Sequence, residues 1–227
     1  MILHEKLSAQ LPAWRERVKS LAKEHGDVVV DKVTVGQVIG GMRDIKSLLT
    51  DVSFVDPAEG IRFRGMTIPE VMALPKAKGG KMPMVGGLFY LLLIGEVPTK
   101  EQALEVEAEW AKRASVPDHV YKMLKSMPKE THPMTLFSQA VLALQSGSVF
   151  ANKYHEMKKD QYWEAALEDS LDLTARLPVI AAYIYRMKYF GENSKPKYNP
   201  KQDYGMNFAR MMKVADKKGY ADLARLY

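Results

Sequence analysis

Cysteine is missing from all 227 residues of this chain, which excludes disulfides, thiolate-held zinc and a thiol nucleophile while leaving the redox compartment open. Long apolar runs are missing too. No stretch nears the ~18 consecutive apolar residues of a bilayer-crossing helix, so a soluble body with no membrane partner is expected. Residues Met1, Ile2, Leu3, His4, Glu5, Lys6 and Leu7 carry neither an apolar core with a small-residue cleavage site nor an Arg- and Ser-rich, acid-poor leader, so no targeting segment is read there. Internal repeats, low-complexity tracts and a clear linker are also lacking. Histidines number only five. None shares metal-ligand spacing with a carboxylate, so no metal is expected. His4, His25 and His119 read as surface residues, His132 as a residue that caps or packs at a helix start before Pro133, and His155 as part of a polar stretch.

What is present is ample for a core: 47% of residues are hydrophobic and 26% charged. The formal charge of +6 and a pI near 9.2 favour anionic partners without choosing among them. Leu7, Leu11, Trp14, Val18, Leu21 and Ala22 recur at helical spacing, and His25 with Gly26 supplies a stop, so the chain opens with an amphipathic helix over 1–26. Residues 27–66 change texture. Val28, Val29 and Val30, scattered glycines, and the alternation Ile61, Arg62, Phe63, Arg64 predict a small β element.

From residue 67 to 227 the pattern is helical, so the fold class is all-α, a many-helix body with a small N-terminal β element. Thr99 with Gln102 forms a capping box opening a helix through Trp110, whose Glu105, Glu107 and Glu109 read as a solvated acidic surface. The longest helix is predicted from Tyr162 to Phe190. Pro178 interrupts it, removing one donor and crowding the carbonyl of Thr174, so either one bent helix or two abutting helices is expected. Residues 191–203, rich in Lys, Tyr, Asn and Pro, read as an exposed loop. Met134, Leu136, Phe137, Val141, Leu142 and Leu144 make a helix apolar enough for burial on more than one side.

Several strings in order, Gly40-Gly41-Met42-Arg43, Asp56-Pro57-Ala58-Glu59-Gly60-Ile61-Arg62-Phe63-Arg64-Gly65, Pro75-Lys76-Ala77-Lys78-Gly79-Gly80, Gly87-Leu88-Phe89-Tyr90-Leu91-Leu92-Leu93-Ile94-Gly95, Glu109-Trp110-Ala111-Lys112-Arg113, His132-Pro133-Met134 and Tyr162-Trp163-Glu164, resemble citrate synthase of the eukaryotic mitochondrial type. The resemblance implies the N-terminal portion of that enzyme's large domain. It implies condensation of acetyl-CoA with oxaloacetate to citrate and CoA, with no permanently bound cofactor, in a homodimer packed through apolar helices. Ala140 is expected to face that partner. The mitochondrial matrix is the implied location, with peroxisome or cytosol as alternatives.

The resemblance also implies that the catalytic groups, three histidines and an aspartate in Asp-His-Glu-Gly-Gly-Asn, Pro-Leu-His-Gly and Gly-Tyr-Gly-His contexts and a later acidic position, lie beyond these residues; none of those strings occurs here. The isolated chain is therefore expected to be inactive unless a second polypeptide completes it. The rival class is a non-catalytic scaffold subunit. Leu223, Leu226 and Tyr227, at helical spacing with no stop after them, read as an unfinished apolar stripe.

Two residues are candidates for binding the coenzyme. Gly40 and Gly41 let the backbone approach a ligand, and the Arg43 guanidinium binds phosphate through a rigid fork; the resemblance implies a CoA phosphate contact there. The alternative is an ion pair with Asp44 or Asp51. Lys159, beside Lys158, stands where the family tends to carry a basic residue near CoA, a solvated lysine pair being the alternative. No catalytic residue is assigned. Arg62 and Arg64 share a strand face and are expected to pair with Asp56 or Glu59. Glu168, Asp169 and Asp172 read as ion-pairing groups, with Arg176 four residues after Asp172. Lys195, Lys197 and Lys201 with Tyr198 and Tyr204 match a nucleic-acid surface only in composition, and no nucleic-acid partner is expected.

Overall fold

A computed structural model describes residues 1–46, 52–56 and 58–226. Helix α1 (Ile2–His25) and short α2 (Val35–Ile39) precede a hairpin of β1 (Ser53–Asp56) and β2 (Gly60–Phe63). Then follow α3 (Ile68–Val71), α4 (Val85–Ile94), α5 (Lys100–Arg113), α6 (Asp118–Ser126), α7 (Pro133–Ala143), α8 (Val149–Lys153), α9 (Tyr162–Phe190), α10 (Tyr204–Met211) and α11 (Lys217–Leu226). The strands pair antiparallel, Ser53 opposite Phe63 and Asp56 opposite Gly60. The all-α body with a small β element is as expected, but the Val28, Val29, Val30 run has no regular secondary structure and joins no strand among the described residues, each valine more than half exposed. β-branched residues make a strand only where a neighbour takes their backbone groups.

Helix α9 organises the interior, because its apolar stripe runs its whole length, about 43 Å at the α-helical rise. Its first half sets Leu167, Leu171 and Ala175 against Leu3, Tyr90, Ile94, Val106 and Trp110. Its second half sets Val179, Ile180 and Tyr183 against Val120, Leu124, Leu136 and Ala140. Each fully buried leucine or isoleucine in these clusters contributes roughly 1.5–3 kcal/mol.

Pro178 lies inside this single helix and does not divide it. The carbonyl it orphans, that of Thr174, accepts the Tyr204 hydroxyl at 2.9 Å. The Thr174 carbonyl therefore gains a donor from another helix, α10, in place of the N–H that Pro178 lacks.

Residues 191–203 are not simply exposed. Asn207, fully buried, donates its amide to the carbonyls of Asn199 at 2.9 Å and Gln202 at 2.8 Å and accepts the Asn199 N–H at 2.7 Å. Arg210 donates to the Lys197 carbonyl and to Gln202. The segment lacks regular structure yet is tied down by side chains that replace a ladder.

Helix α7 buries one side only: Leu136 and Ala140 are inside, whereas Met134 and Leu142 are 61% and 73% exposed. Among the described residues burial on a second side is not found, and Ala140, fully buried, packs in the chain's own core. Residues Pro133–Lys153 reach a mean hydropathy of 1.2 over an 18-residue window, within the range of a membrane span. Here they are broken by a 3-10 turn at Leu144–Gly147 and pack along α9.

Candidate functional site

Arg43 stands just past α2, in a turn whose shape follows from two glycines. Thr34 caps α2 in a box with Gln37. At the other end the Gly41 N–H donates to the Val38 carbonyl at 3.2 Å and the Met42 N–H to the Gln37 carbonyl at 2.8 Å, the paired bonds of a Schellman closure. That closure requires the left-handed φ of +78° at Gly41. The glycine pair thus terminates a helix, a folding role the sequence reading did not give it. Met42 and Asp44 also have positive φ, of 64° and 57°, and the Gln37 amide donates to the Arg43 carbonyl at 3.3 Å. Two left-handed non-glycine residues store strain of order 1 kcal/mol each. Arg43 itself is exposed, and among the described residues no carboxylate, Asp44 included, lies within ion-pair distance. Asp51 lies outside the described residues.

Lys159 is exposed in a 3-10 turn, Lys159–Gln161, that leads into α9. The Lys158 N–H donates to the Gln161 side chain at 3.1 Å, and Arg15 of α1 donates to the Asp160 carbonyl at 2.8 Å, fixing that turn against the first helix. No hydrogen bond or ion pair among the described residues joins Arg43 to Lys159.

Arg62 pairs with Glu59 at 2.7 Å as expected. Arg64 does not share its strand face. It lies after β2 in a tight turn with φ of +50°, followed by Gly65 at +82°, and donates to the carbonyls of Leu92 at 2.9 Å and Leu93 at 3.3 Å near the end of α4. A guanidinium at a helix C-terminus is favoured by the dipole and by charge-assisted bonds, which offset the strained φ.

The acidic residues of α9 are accounted for by helix packing. Arg176 pairs with Asp172 at 2.9 Å as the spacing predicts, and Arg113 bridges Glu109, Glu168 and Asp172 at 2.8, 2.6 and 2.9 Å. Asp169 instead accepts the Ser148 hydroxyl and the N–H groups of Val149 and Phe150 at the start of α8. His132 caps α7, accepting the Met134 N–H at 3.2 Å, while His4 lies against the Trp163 ring.

The most heavily buried ionic cluster escaped the sequence reading. Glu107, expected on a solvated surface, is 6% exposed. Its carboxylate accepts the Gly86 N–H at 3.0 Å and the Tyr204 N–H at 2.6 Å, serving the first turns of both α4 and α10. Burial pushes its pKa up to about 7 against the lowering effect of those two bonds; Asp203 raises it further and Arg225 opposes. Next to it Arg225, its side chain 1% exposed, holds Asp203 at 2.8 Å and Asp222 at 2.6 Å. Asp222 in turn accepts the Lys81 N–H at 3.0 Å. The spacing Ala103, Val106, Glu107, Trp110, all buried, is i, i+3, i+4, i+7, a signal that puts Glu107 on the core face.

The end of the chain buries a different face from the one its leucines mark. Ala221 and Arg225 turn inward, and Leu223 and Leu226 are about half exposed, at 49% and 55%. Tyr227 lies outside the described residues.

A helical body built along one long helix, with a two-stranded hairpin near its start, is the architecture of the citrate synthases. The citrate synthase of Pyrobaculum aerophilum superposes with a TM-score of 0.66 at 23% identity, over 82% of this chain and 47% of that one. The Thermoplasma acidophilum citrate synthase, solved as a ternary complex with carboxymethyl coenzyme A and oxaloacetate, does so with a TM-score of 0.59 at 19% identity, over 76% and 41%. In sequence, the family model described as citrate synthase, C-terminal domain, matches residues 41–227. A probable mitochondrial citrate synthase of Glossina morsitans morsitans is 46% identical, and the mitochondrial citrate synthase of Neurospora crassa 47%, each across 99% of this chain. The chain belongs to the citrate synthase family. It spans about half the length of these curated relatives, 49% and 48% respectively.

Proposed function

We propose that this chain forms the N-terminal part of the large domain of a citrate synthase that condenses acetyl-CoA with oxaloacetate in the mitochondrial matrix. The observation that carries this is the match to mitochondrial citrate synthases over 99% of the chain at 46–47% identity. Condensation needs a carboxylate to take a methyl proton from the thioester, a donor for the enolate oxygen, and a donor polarising the acceptor ketone. In the family those are an aspartate and histidines, with arginines holding the dicarboxylate. The 227 residues contain none of the three strings that carry the histidines, and the one buried carboxylate among the described residues, Glu107, is occupied by two backbone N–H groups. This part supplies the framework and the coenzyme side: Arg43 on its rigid turn meets a CoA phosphate, and Lys159 adds a second cation.

The exposed apolar side of α7, with Met134 and Leu142 open, supports a homodimer contact. Leu142→Glu should convert a dimer to a monomer by light scattering with helical content unchanged; an unchanged mass would refute that contact. The site is tested by co-expression with a polypeptide carrying Asp-His-Glu-Gly-Gly-Asn, Pro-Leu-His-Gly and Gly-Tyr-Gly-His. Citrate formation is expected, and Arg43→Ala should then raise the KM for acetyl-CoA about tenfold, the loss of one charged phosphate contact, with kcat unchanged. An unchanged KM would remove Arg43 from the site.

A further inference from the structure

Between the C-terminal ends of α6 and α9 lies a cavity of about 570 Å³ that the proposed reaction does not use. Its apolar lining is Met127 and Met187, backed by the buried Leu124 and Leu136, and its basic lining is Lys125, Lys129 and Lys188. No acidic side chain lines it. The neighbouring carboxylate of Glu192 is already held by Arg186 at 2.6 Å and by Lys213 at 2.7 Å, and Glu130 is exposed outside the lining.

Lys188 has a folding role of its own, donating to the Thr131 carbonyl at 2.9 Å and to the Lys129 carbonyl. Those bonds fix its ammonium in the lining. The ends of two helices oppose an anion here with about half a negative charge each, but three full positive charges outweigh them. Lys125 and Lys129 are exposed and appear in no ion pair among the described residues.

We propose that this cavity binds a single-chain amphipathic anion, an alkyl tail bearing a phosphate or carboxylate head, with the tail along the two methionines and the head among the three lysines. The volume falls within the range of ~300–1,000 Å³ typical of small-molecule sites. Unbranched methionines at 127 and 187 suit a flexible chain better than a rigid ring. Headgroup and tail act on different surfaces, so each can be removed separately.

The test is titration of the purified protein with decyl phosphate, below its micelle concentration, by isothermal calorimetry. Decanol and inorganic phosphate serve as the tail-only and head-only probes. One saturable decyl phosphate site is expected, with decanol and phosphate each at least tenfold weaker and the affinity falling as salt rises. The variant Lys125→Glu/Lys129→Glu changes only exposed residues. It should weaken decyl phosphate at least tenfold and leave decanol unchanged, with the circular dichroism spectrum intact. Equal binding by the variant, or decanol binding as tightly as decyl phosphate, would overturn the proposal. Several equivalent sites insensitive to the lysines would do the same, by showing adsorption to exposed apolar surface.

Discussion

Tyr204 and Pro178 should be energetically coupled, because the tyrosine hydroxyl serves the carbonyl that the proline leaves without a helical donor. Tyr204→Phe keeps the ring, and with it the contact to Trp110 at 5.1 Å between centroids, and deletes only the hydroxyl that donates to Thr174 at 2.9 Å. The cost is the net worth of a neutral hydrogen bond, about 1 kcal/mol, plus part of the penalty for a poorly solvated carbonyl, together about 1–2 kcal/mol. In a Pro178→Ala background residue 178 regains its N–H and bonds the Thr174 carbonyl within the helix. The same hydroxyl deletion should then cost less than about 0.5 kcal/mol. Urea denaturation of the four proteins, followed by circular dichroism at 222 nm, gives the coupling directly, expected at about 1 kcal/mol. Costs for Tyr204→Phe that agree in both backgrounds within the ~0.3 kcal/mol of ordinary additivity would refute this account of the proline.

Glu107 should make stability fall as pH rises. Its folded pKa is raised from 4.5 to about 7, so between those values the folded state holds a proton that the unfolded state has lost. Its contribution is full below pH 4.5 and is lost on passing pH 7, by about 3 kcal/mol in order of magnitude. Glu107→Gln should flatten the difference in urea midpoint between pH 5 and 8, and an unchanged difference would assign it to other groups. Arg225→Met strands Asp203 and Asp222 without their cation and should cost about 3–5 kcal/mol. Amide exchange in residues 217–226 should accelerate first; protection equal to the parent's would show that the ion pairs do not hold α11. Gly41→Ala forces a side chain into φ of +78° and should cost about 1–2 kcal/mol. Arg43→Ala, on the exposed end of the same turn, should stay within about 0.5 kcal/mol. Thermal melts of the pair separate framework from ligand contact, and equal losses would contradict that division.

Much of the framework was legible because it is local. The bounds of α9, the Thr99 and Gln102 box, the Asp172 and Arg176 pair and the His132 cap all follow from spacings of two to four residues or from one long period. The misses depend on distant partners. Val28, Val29 and Val30 have β propensity but, among the described residues, no neighbouring strand to pair with. Asn207 orders residues 191–203 from the next helix, and Tyr204 rescues a carbonyl 30 residues away. Glu107 is a different case: its charge suggests a solvated surface, whereas the period it shares with Ala103, Val106 and Trp110 places it inside. At the candidate site the sequence offered Gly40, Gly41 and Arg43 as a group, whereas the need for Gly41 to close α2 is visible only through backbone angles.

The most direct measurement is thiol release from acetyl-CoA in the presence of oxaloacetate by the 227-residue chain alone. No citrate and no release above the protein-free rate is expected, because the proposed function assigns enolisation of the thioester and polarisation of the ketone to groups carried on strings that these 227 residues do not contain. Sustained turnover by this chain would contradict that division of roles.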